Sequence, residues 1–422
     1  MVKTMALSNN ITVIYEQMPS IMSVACGIFV KTGSRDEDTN TNGISHFIEH
    51  MLFKGTENRS AKQIADEMDM IGGQMNAFTT KEYTGYYVRT LYNHLDRSLD
   101  ILSDMLFNSL FDQNEIKKEC GVIIEEIDMY EDSPEDLVHD ILQKQIYGND
   151  TLGYSIIGDK DTISKFGHDE LDSYFKNNYH QDNIYISVAG KFEENELIEK
   201  LERYFNRLNR ATKYQKKPCQ SGYEKAFITK QKDIEQVHLM LAFPGFPLDS
   251  EYSYDLAALN TFFGGSMSSR LFQTIREENG LSYAVYSYLS SFTDTGSFCI
   301  YAALNPTQSK LCFDLIIQEI NRLFKEKVTE GQLCNTKEQL KSNYLLNLES
   351  SLSRMMSLGR SETLLGKYHT QEEIIEKIDR VNVERVYNVA SKIFDLDKMS
   401  LSAVGKISGI DFKGMYKSIC KA

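Results

Sequence analysis

Short strings from the first half of this sequence recur in the second half, in the same order and 210 to 215 residues later. The three clearest pairs are MLFKG at 51–55 with TFFGG at 261–265, TGYYV at 84–88 with TGSFC at 295–299, and SVAGK at 187–191 with SAVGK at 402–406. Coincidence among short apolar strings is the alternative, but the shared order argues against it. A chain of 422 residues is also too long for one ordinary core. The sequence therefore predicts two copies of one domain.

Each copy is predicted to belong to the α+β class. In both halves, hydrophobic periodicity predicts two strands, two helices, two further strands, a long helical region and a last strand. The predicted strands cover residues 11–15, 22–30, 74–79, 82–91 and 184–189, then 226–229, 237–243, 281–289, 297–304 and 399–404. The paired helices cover residues 43–53, 61–71, 250–263 and 268–278. This pattern indicates two homologous domains, each a mostly antiparallel sheet covered by helices.

The boundary between the copies is expected at the midpoint of the chain. Residues 209–225, NRATKYQKKPCQSGYEK, are rich in lysine and contain a proline and a Ser-Gly step without any apolar period. Such a stretch is typical of an exposed linker. We therefore expect an N-terminal domain at 1–212, a linker at 213–225 and a C-terminal domain at 226–422.

Composition argues against several classes of protein. The 60 acidic and 46 basic residues give a net charge of −14, whereas proteins that bind nucleic acid usually carry a basic field. The longest apolar run, residues 24–30, is far shorter than the roughly 20 residues of a membrane span, and the N-terminus has no apolar signal core. Seven scattered cysteines without a C-x-x-C pair argue for a reducing compartment. We expect a cytoplasmic protein that binds neither nucleic acid nor membrane.

The strongest chemical signal is NGISHFIEHMLFKGT, residues 42–56, which contains His46, Glu49 and His50 as H-x-x-E-H. Residues four apart lie on one face of a helix, so both imidazoles can bind one metal ion. Glu49 lies about 60° to one side of His46, where its carboxylate can reach a metal-activated water without displacing a histidine. The alternative is an amphipathic helix with half-buried histidines, but the convergence of three such groups argues against it.

A catalytic zinc usually takes three protein ligands, so one more is needed. The best source is the acidic helix predicted at 113–136, QNEIKKECGVIIEEIDMYEDSPED. Glu119 and Glu126 are seven residues apart and share one face of this helix. Composition alone does not choose among Glu115, Glu119, Glu125 and Glu126.

Three strings, HFIEHMLFKGT, GGQMNAFTTKEYTGYY and ECGVIIEEIDMYEDSPEDLVHD, together resemble the inverzincin metallopeptidases. That family includes pitrilysin, insulin-degrading enzyme and the β subunit of the mitochondrial processing peptidase. The resemblance covers essentially the whole chain and is closest to the compact, two-domain bacterial-type branch. It implies that Glu126, 76 positions beyond His50, completes the site of one Zn²⁺ per chain. It also implies that Glu119 orients a histidine from behind.

The resemblance also extends to two other segments. In residues 264–287, GGSMSSRLFQTIREENGLSYAVYS, it implies that Arg276 holds the substrate backbone and that Tyr283 donates to the developing oxyanion. Arg270 is the nearest rival, and a surface arginine with a half-buried tyrosine is the alternative. In residues 72–80, GGQMNAFTT, it implies that Asn76 and Ala77 hydrogen-bond a peptide added at a sheet edge. From the residues alone, an ordinary hairpin strand is preferred there.

We expect a zinc-dependent metalloendopeptidase that cleaves peptides, unfolded segments or precursors in a chamber between two clamshell domains. We expect a self-sufficient protomer, either alone or in a homodimer. One alternative is a non-catalytic or partner-dependent peptide-binding subunit, which would be expected to lack the H-x-x-E-H residues. Another is a protease dedicated to one precursor, which the sequence does not distinguish. The second copy has Leu256, Leu259 and Asn260 in place of the metal-site residues, so it should bury that helix face as core.

Overall fold

The structure is a computed structural model that describes residues 1–148, 150–207 and 221–419. Residues 213–220 of the expected linker lie outside the described residues. Residues 221–225 form neither a helix nor a strand. No helix within the described ranges is long and apolar enough to span a membrane.

The strands follow one another along the chain as β1 Val2–Ala6, β2 Thr12–Gln17, β3 Ser23–Val30, β4 Gln74–Thr79, β5 Thr84–Leu91, β6 Ile184–Gly190, β7 Phe227–Gln231, β8 Val237–Pro244, β9 Ser282–Ser291, β10 Gly296–Leu304 and β11 Ser400–Gly405. The α-helices are α1 Ile44–Leu52, α2 Ala61–Met70, α3 Leu95–Asn108, α4 Gln113–Asp132, α5 Pro134–Ile146, α6 Lys160–Ile163, α7 His168–Asn178, α8 Glu194–Phe205, α9 Ser253–Phe263, α10 Ser309–Lys325, α11 Glu330–Leu348, α12 Ser351–Leu365, α13 Gln371–Asp379, α14 Val383–Ile393 and α15 Phe412–Ile419. A π-helix spans Phe272–Glu278, and six short 3₁₀ turns complete the described elements.

The two sheets have the same strand order, which confirms the predicted α+β repeat. The first sheet runs β1-β2-β6-β3-β5-β4 and the second runs β7-β11-β8-β10-β9. In each, the first strand of the repeat pairs in parallel with the last, while the other neighbours are antiparallel. Among the described residues, β1 alone has no counterpart in the other sheet, and the sequence pattern did not predict it. Its side chains are partly or fully exposed, so it has no buried face to produce an apolar period.

A pair of glycines explains why SVAGK and SAVGK are the closest strings of the repeat. Gly190 ends β6 with φ 136°, and Gly405 ends β11 with φ 139°. These angles suit glycine, since other residues rarely adopt them. A Cβ atom on Gly190 would also lie 2.4 Å from the carbonyl oxygen of Ser23, and one on Gly405 would lie 2.3 Å from that of Gln236. Both glycines therefore let the last strand of the repeat pair closely with the second, β6 with β3 and β11 with β8.

Each sheet is covered on one face by a helix from the other half of the chain. In the first sheet, α12 packs over Ala25, Phe29 and Ala189, with Met355 fully buried among them. Ser187 Oγ donates to the Met355 carbonyl at 2.8 Å. In the second sheet, α5 fills the equivalent position, where its apolar residues Leu137, Val138 and Leu142 pack with Met240, Ala242 and Tyr301.

Helix α12 covers the first sheet and α5 covers the second, and this exchange of covering helices determines how the chain divides into compact units. The first unit comprises Met1–Asp128, the described part of Tyr154–Pro218, and Leu345–Thr370. The second comprises the described parts of Met129–Gly153, Cys219–Tyr344 and Gln371–Ala422. The expected domains 1–212 and 226–422 follow the repeat along the chain, but the packed units differ from them because the cover of each sheet comes from the other half.

Candidate metal centre

Helix α1 carries the H-x-x-E-H residues, and a buried acid fixes its first turn. Glu37 accepts hydrogen bonds from the backbone amides of Gly43 at 2.7 Å and Ser45 at 2.9 Å, and from Asn42 Nδ2 at 3.1 Å. An acid at this position also interacts favourably with the helix dipole. Burial raises the pKa of the Glu37 carboxyl to about 7, although these hydrogen bonds act in the lowering direction. Sequence reasoning missed Glu37, because it lies outside the usual capping spacing.

The apolar residues of α1 fix how the helix is rotated about its axis. Phe47, Ile48, Met51 and Leu52 are almost completely buried in the core of the first unit. Since this face must point into the core, the histidines and the glutamate share the remaining face. The apolar pattern of α1 therefore presents the metal-binding groups.

The structure brings His46, His50 and Glu126 together. Glu126 Oε2 lies 3.8 Å from His46 Nε2 and 3.7 Å from His50 Nε2. With zinc–ligand distances of about 2.1 Å, tetrahedral ligands lie roughly 3.4 Å apart. All three donor atoms lie within 4.8 Å of one another, so the group can bind a zinc ion once the side chains move closer together. In the part of the chain that the structure describes, this is the only such group of three histidine, cysteine or acidic side chains.

The protonation state of His46 also suits metal binding. The side chain is 8% exposed, and burial, with a smaller contribution from His50, lowers the pKa of His46 to about 3. Its imidazole is therefore neutral near pH 7, which is the form that binds a metal.

Glu49 lies next to these ligands but outside the group of three. Thr79 Oγ1, at the end of β4, donates to Glu49 Oε2 at 2.6 Å. Burial raises the pKa of Glu49 above its ordinary value, while the hydrogen bond from Thr79 acts in the opposite direction. A carboxylate with a raised pKa beside a metal site suits proton transfer. Sequence reasoning placed Glu49 here but missed Thr79.

The four acids that sequence reasoning left open on α4 have different surroundings. Glu115 forms an ion pair with Lys118 at 2.6 Å, and Glu125 is exposed. Glu119 is buried, and its Oε1 lies 3.9 Å from His50 Nδ1. The geometry therefore places Glu126 at the Nε2 atoms of both histidines and Glu119 on the Nδ1 side of His50.

Lys54 completes the surroundings of Glu119 by forming an ion pair with it. Burial raises the pKa of Glu119, but His50 and Lys54 outweigh this effect and hold the pKa below its ordinary value. Glu119 is therefore ionised near neutral pH. A carboxylate at this distance can orient the imidazole of His50.

Asn76 and Ala77 lie in β4, which is an edge strand of the first sheet. The Asn76 side chain is exposed, and its Oδ1 accepts from the Ala77 amide at 2.8 Å. An edge strand with exposed polar groups is a typical place for a peptide to add to a sheet.

Arg276 and Tyr283 belong to the second unit and contact each other. The Arg276 guanidinium lies 4.4 Å from the centre of the Tyr283 ring, and its Nη1 donates to the Tyr283 carbonyl at 3.1 Å. Tyr283 is 80% exposed. Arg276 lies in the π-helix, a rare element that is frequent at functional sites. By contrast, Arg270 is mostly buried and donates to the Glu326 carbonyl at 3.0 Å, which indicates a structural role.

The counterpart of the metal helix in the second unit is α9. Leu256 and Leu259 are buried in its core, which confirms the expectation for the second copy. Asn260 accepts through Oδ1 from Ser287 Oγ at 2.7 Å. This helix face therefore offers packing and one local hydrogen bond in place of metal ligands.

A two-sheet α+β fold in which an H-x-x-E-H helix meets a glutamate from a second helix is the arrangement of a zinc peptidase. The family model Insulinase (Peptidase family M16) matches residues 12–160, and the model Peptidase M16 inactive domain matches residues 165–340. The chain belongs to peptidase family M16.

Relatives of similar length support this assignment. The chain is 44% identical to an uncharacterized zinc protease, YmxG, of Bacillus subtilis, over 94% of this chain and 97% of the relative. It is 40% identical to an uncharacterized zinc protease of Rickettsia felis, over 92% and 94%. The fold is also that of a protease from Helicobacter pylori, with a TM-score of 0.90 at 20% identity over 96% and 99% of the two chains.

Proposed function

We propose that the protein is a zinc-dependent endopeptidase that hydrolyses peptides and unfolded polypeptide segments. The observation that carries this proposal is the convergence of His46, His50 and Glu126 on one point, with the Glu49 carboxylate beside them. One zinc per chain follows from the apolar counterpart of this site in α9. The scattered cysteines support a cytoplasmic enzyme. Because one chain carries both the metal-site residues and the pair Arg276 and Tyr283, we expect it to be active as a single protomer or a homodimer.

In this mechanism the two histidines and Glu126 would hold the metal, which would supply an activated water and polarise the scissile carbonyl. Glu49 would act as the general base that accepts a proton from the attacking water and returns it to the leaving amine. Thr79 holds one oxygen of Glu49, while Glu119 keeps the His50 ring in orientation. Each of these side chains is held by a contact in the first unit.

We assign substrate binding to two further places. The edge of β4 at Asn76 and Ala77 would bind the peptide through its main chain, which makes recognition largely independent of sequence. Arg276 would hold the substrate backbone, and the exposed Tyr283 hydroxyl would donate to the developing oxyanion. These roles assign residues of both units to the reaction.

Removal of the metal tests this function directly. The purified protein should cleave a mixed peptide library, and a chelator should abolish the cleavage because the activated water is lost. Readdition of Zn²⁺ to the dialysed protein should restore it. Mass spectrometry of the products measures each step. Cleavage that survives complete zinc removal would exclude the proposed mechanism.

Substitution of one metal ligand tests the same requirement for zinc without a chelator. Glu126→Gln should lose both zinc and cleavage, since a neutral amide is a poorer ligand than a carboxylate. Glu125→Gln changes the exposed neighbour on the same helix and should retain both. Full zinc content in the dialysed Glu126→Gln protein would mean that the third ligand lies elsewhere.

Tyr283→Phe tests the contribution of the second unit. Loss of the hydroxyl should lower kcat by about 10- to 1000-fold and change KM little, because an oxyanion donor acts mainly in the transition state. Steady-state kinetics on one library peptide measures both constants. Tyr252→Phe, at a partly buried tyrosine of the same unit, is a suitable control. Wild-type kinetics in Tyr283→Phe would leave this tyrosine without a catalytic role.

A further inference from the structure

We propose that Thr79 is a positioning residue that fixes the carboxylate of Glu49 and connects it to strand β4. This inference rests on the function proposed above, in which Glu49 is the base and β4 receives the peptide. The link is a single hydrogen bond, from Thr79 Oγ1 to Glu49 Oε2 at 2.6 Å. The carboxylate is therefore held from the sheet and not from its own helix.

The alternation of side chains along β4 accounts for the direction of the Thr79 hydroxyl. Successive side chains of a strand point to opposite faces of the sheet. Met75 and Ala77 pack against the core of the first unit, whereas Phe78 packs on the other face with Phe29. Thr79 lies on the same face of β4 as Met75 and Ala77. On that face β4 packs against α1. The pleat of the strand thus aims Thr79 at Glu49.

The hydroxyl is held firmly as well as aimed. Thr79 pairs in register with Thr84 of β5, and Thr84 is fully buried and donates to the Thr32 carbonyl at 2.8 Å. Threonine is β-branched, so its first side-chain torsion has few accessible states. Glutamate, in contrast, has three rotatable bonds and loses considerable freedom when it is fixed. Thr79 therefore supplies the rigid partner of the pair.

This contact places the base at the end of the proposed peptide-binding edge. Ala77 and Thr79 are two residues apart, or about 6.7 Å along a strand. A peptide that pairs with β4 at Asn76 and Ala77 would bind the same strand that carries the hydroxyl. Binding of the substrate backbone and orientation of Glu49 would then both depend on this short strand.

Two substitutions separate the hydroxyl from the shape of the side chain. Thr79→Val keeps the shape and removes the donor, and it should lower kcat about 10- to 100-fold, as expected for a displaced catalytic group. KM should change less than about threefold, and zinc content should remain that of the wild type. Thr79→Ser keeps the donor and should restore most of kcat. A role in packing alone would give the opposite ranking, because serine loses the methyl group.

Thr90→Val is the matched control. Thr90 lies on the adjacent strand β5, and its buried hydroxyl has no hydrogen-bond partner in the described part of the chain. This variant should retain wild-type kcat. The Thr79→Val and Glu49→Gln substitutions should also be non-additive, since Thr79 acts only through Glu49. If the double variant showed the product of the two single fold-reductions in rate, the substitutions would act independently and the inference would be overturned.

Crystal structures of the zinc-loaded wild type and Thr79→Val supply a readout that does not depend on activity. The Glu49 carboxylate should lie at Thr79 in the wild type and should be displaced or disordered in the variant. An unchanged Glu49 position in Thr79→Val would overturn the inference even if the enzyme is active. If the wild type cleaves no peptide, the proposed function fails, and the position of Glu49 in these two crystals still decides the positioning role.

Discussion

Glu49→Gln should lower the rate of peptide hydrolysis by about 10²- to 10⁴-fold while the protein keeps its zinc. The substitution removes the proton acceptor but retains the size of the side chain and both histidines. The glutamine carbonyl can still accept the hydrogen bond from Thr79, so the side chain should stay in place. Glu49 also lies outside the group of three metal ligands, which is why zinc should remain. Single-turnover kinetics and elemental analysis measure the two quantities on one preparation.

The comparison with Glu126→Gln makes this result specific. Glu49→Gln should lose catalysis but keep its zinc, whereas Glu126→Gln should lose both. Glu125→Gln controls for the loss of one negative charge in the first unit. Near-normal turnover in Glu49→Gln would exclude Glu49 as the base. Loss of zinc from this variant would instead place Glu49 among the ligands.

A fragment of residues 1–212 should neither unfold cooperatively nor hydrolyse peptide. It contains the H-x-x-E-H helix and Glu126 but lacks α12, which covers Ala25, Phe29 and Ala189. The loss of Met355 from this contact and the exposure of Phe29 should together cost about 3–6 kcal/mol, a large part of the 5–15 kcal/mol that stabilises a typical protein. Circular dichroism during thermal unfolding and a peptide assay measure the two properties.

A second fragment separates the missing helix from the missing catalytic residues. Residues 1–212 joined through a flexible linker to residues 345–370 contain the segments of the first unit. This protein should regain a cooperative transition and bind zinc, but it should not hydrolyse peptide, since it lacks Arg276 and Tyr283. Coexpressed halves 1–212 and 213–422 should recover activity. Full activity from 1–212 alone would contradict both parts of the prediction.

Local patterns predicted the elements that carry the metal site. The alternation of apolar residues indicated the paired strands of both sheets, and the spacing of His46, Glu49 and His50 indicated one helix face. Glu126 could not be chosen from composition, because four acids on α4 have similar sequence surroundings. The structure distinguishes them by contact: Glu115 pairs with Lys118 of its own helix, Glu125 is exposed, and Glu119 and Glu126 reach the histidines.

The contacts that sequence reasoning missed have no recurring spacing along the chain. Glu37 reaches the first turn of α1 from a loop, and Thr79 reaches Glu49 from a strand, so neither has a fixed spacing to recognise. The π-helix uses residues that are equally suited to the α-helix expected at 268–278. An amphipathic pattern shows that α12 must bury one face, but it does not show which sheet receives that face.

The exchange of α5 and α12 has a consequence for the order of synthesis. The last strand of the first sheet ends at Gly190, but its covering helix is complete only at Leu365, which is 175 residues later. At about 5–20 residues per second, the ribosome needs roughly 9–35 s to make this stretch. During that time the nascent sheet presents Ala25, Phe29 and Ala189 without their cover. The N-terminal unit therefore cannot finish folding first, and the growing chain depends on protection of this surface until nearly its whole length has been translated.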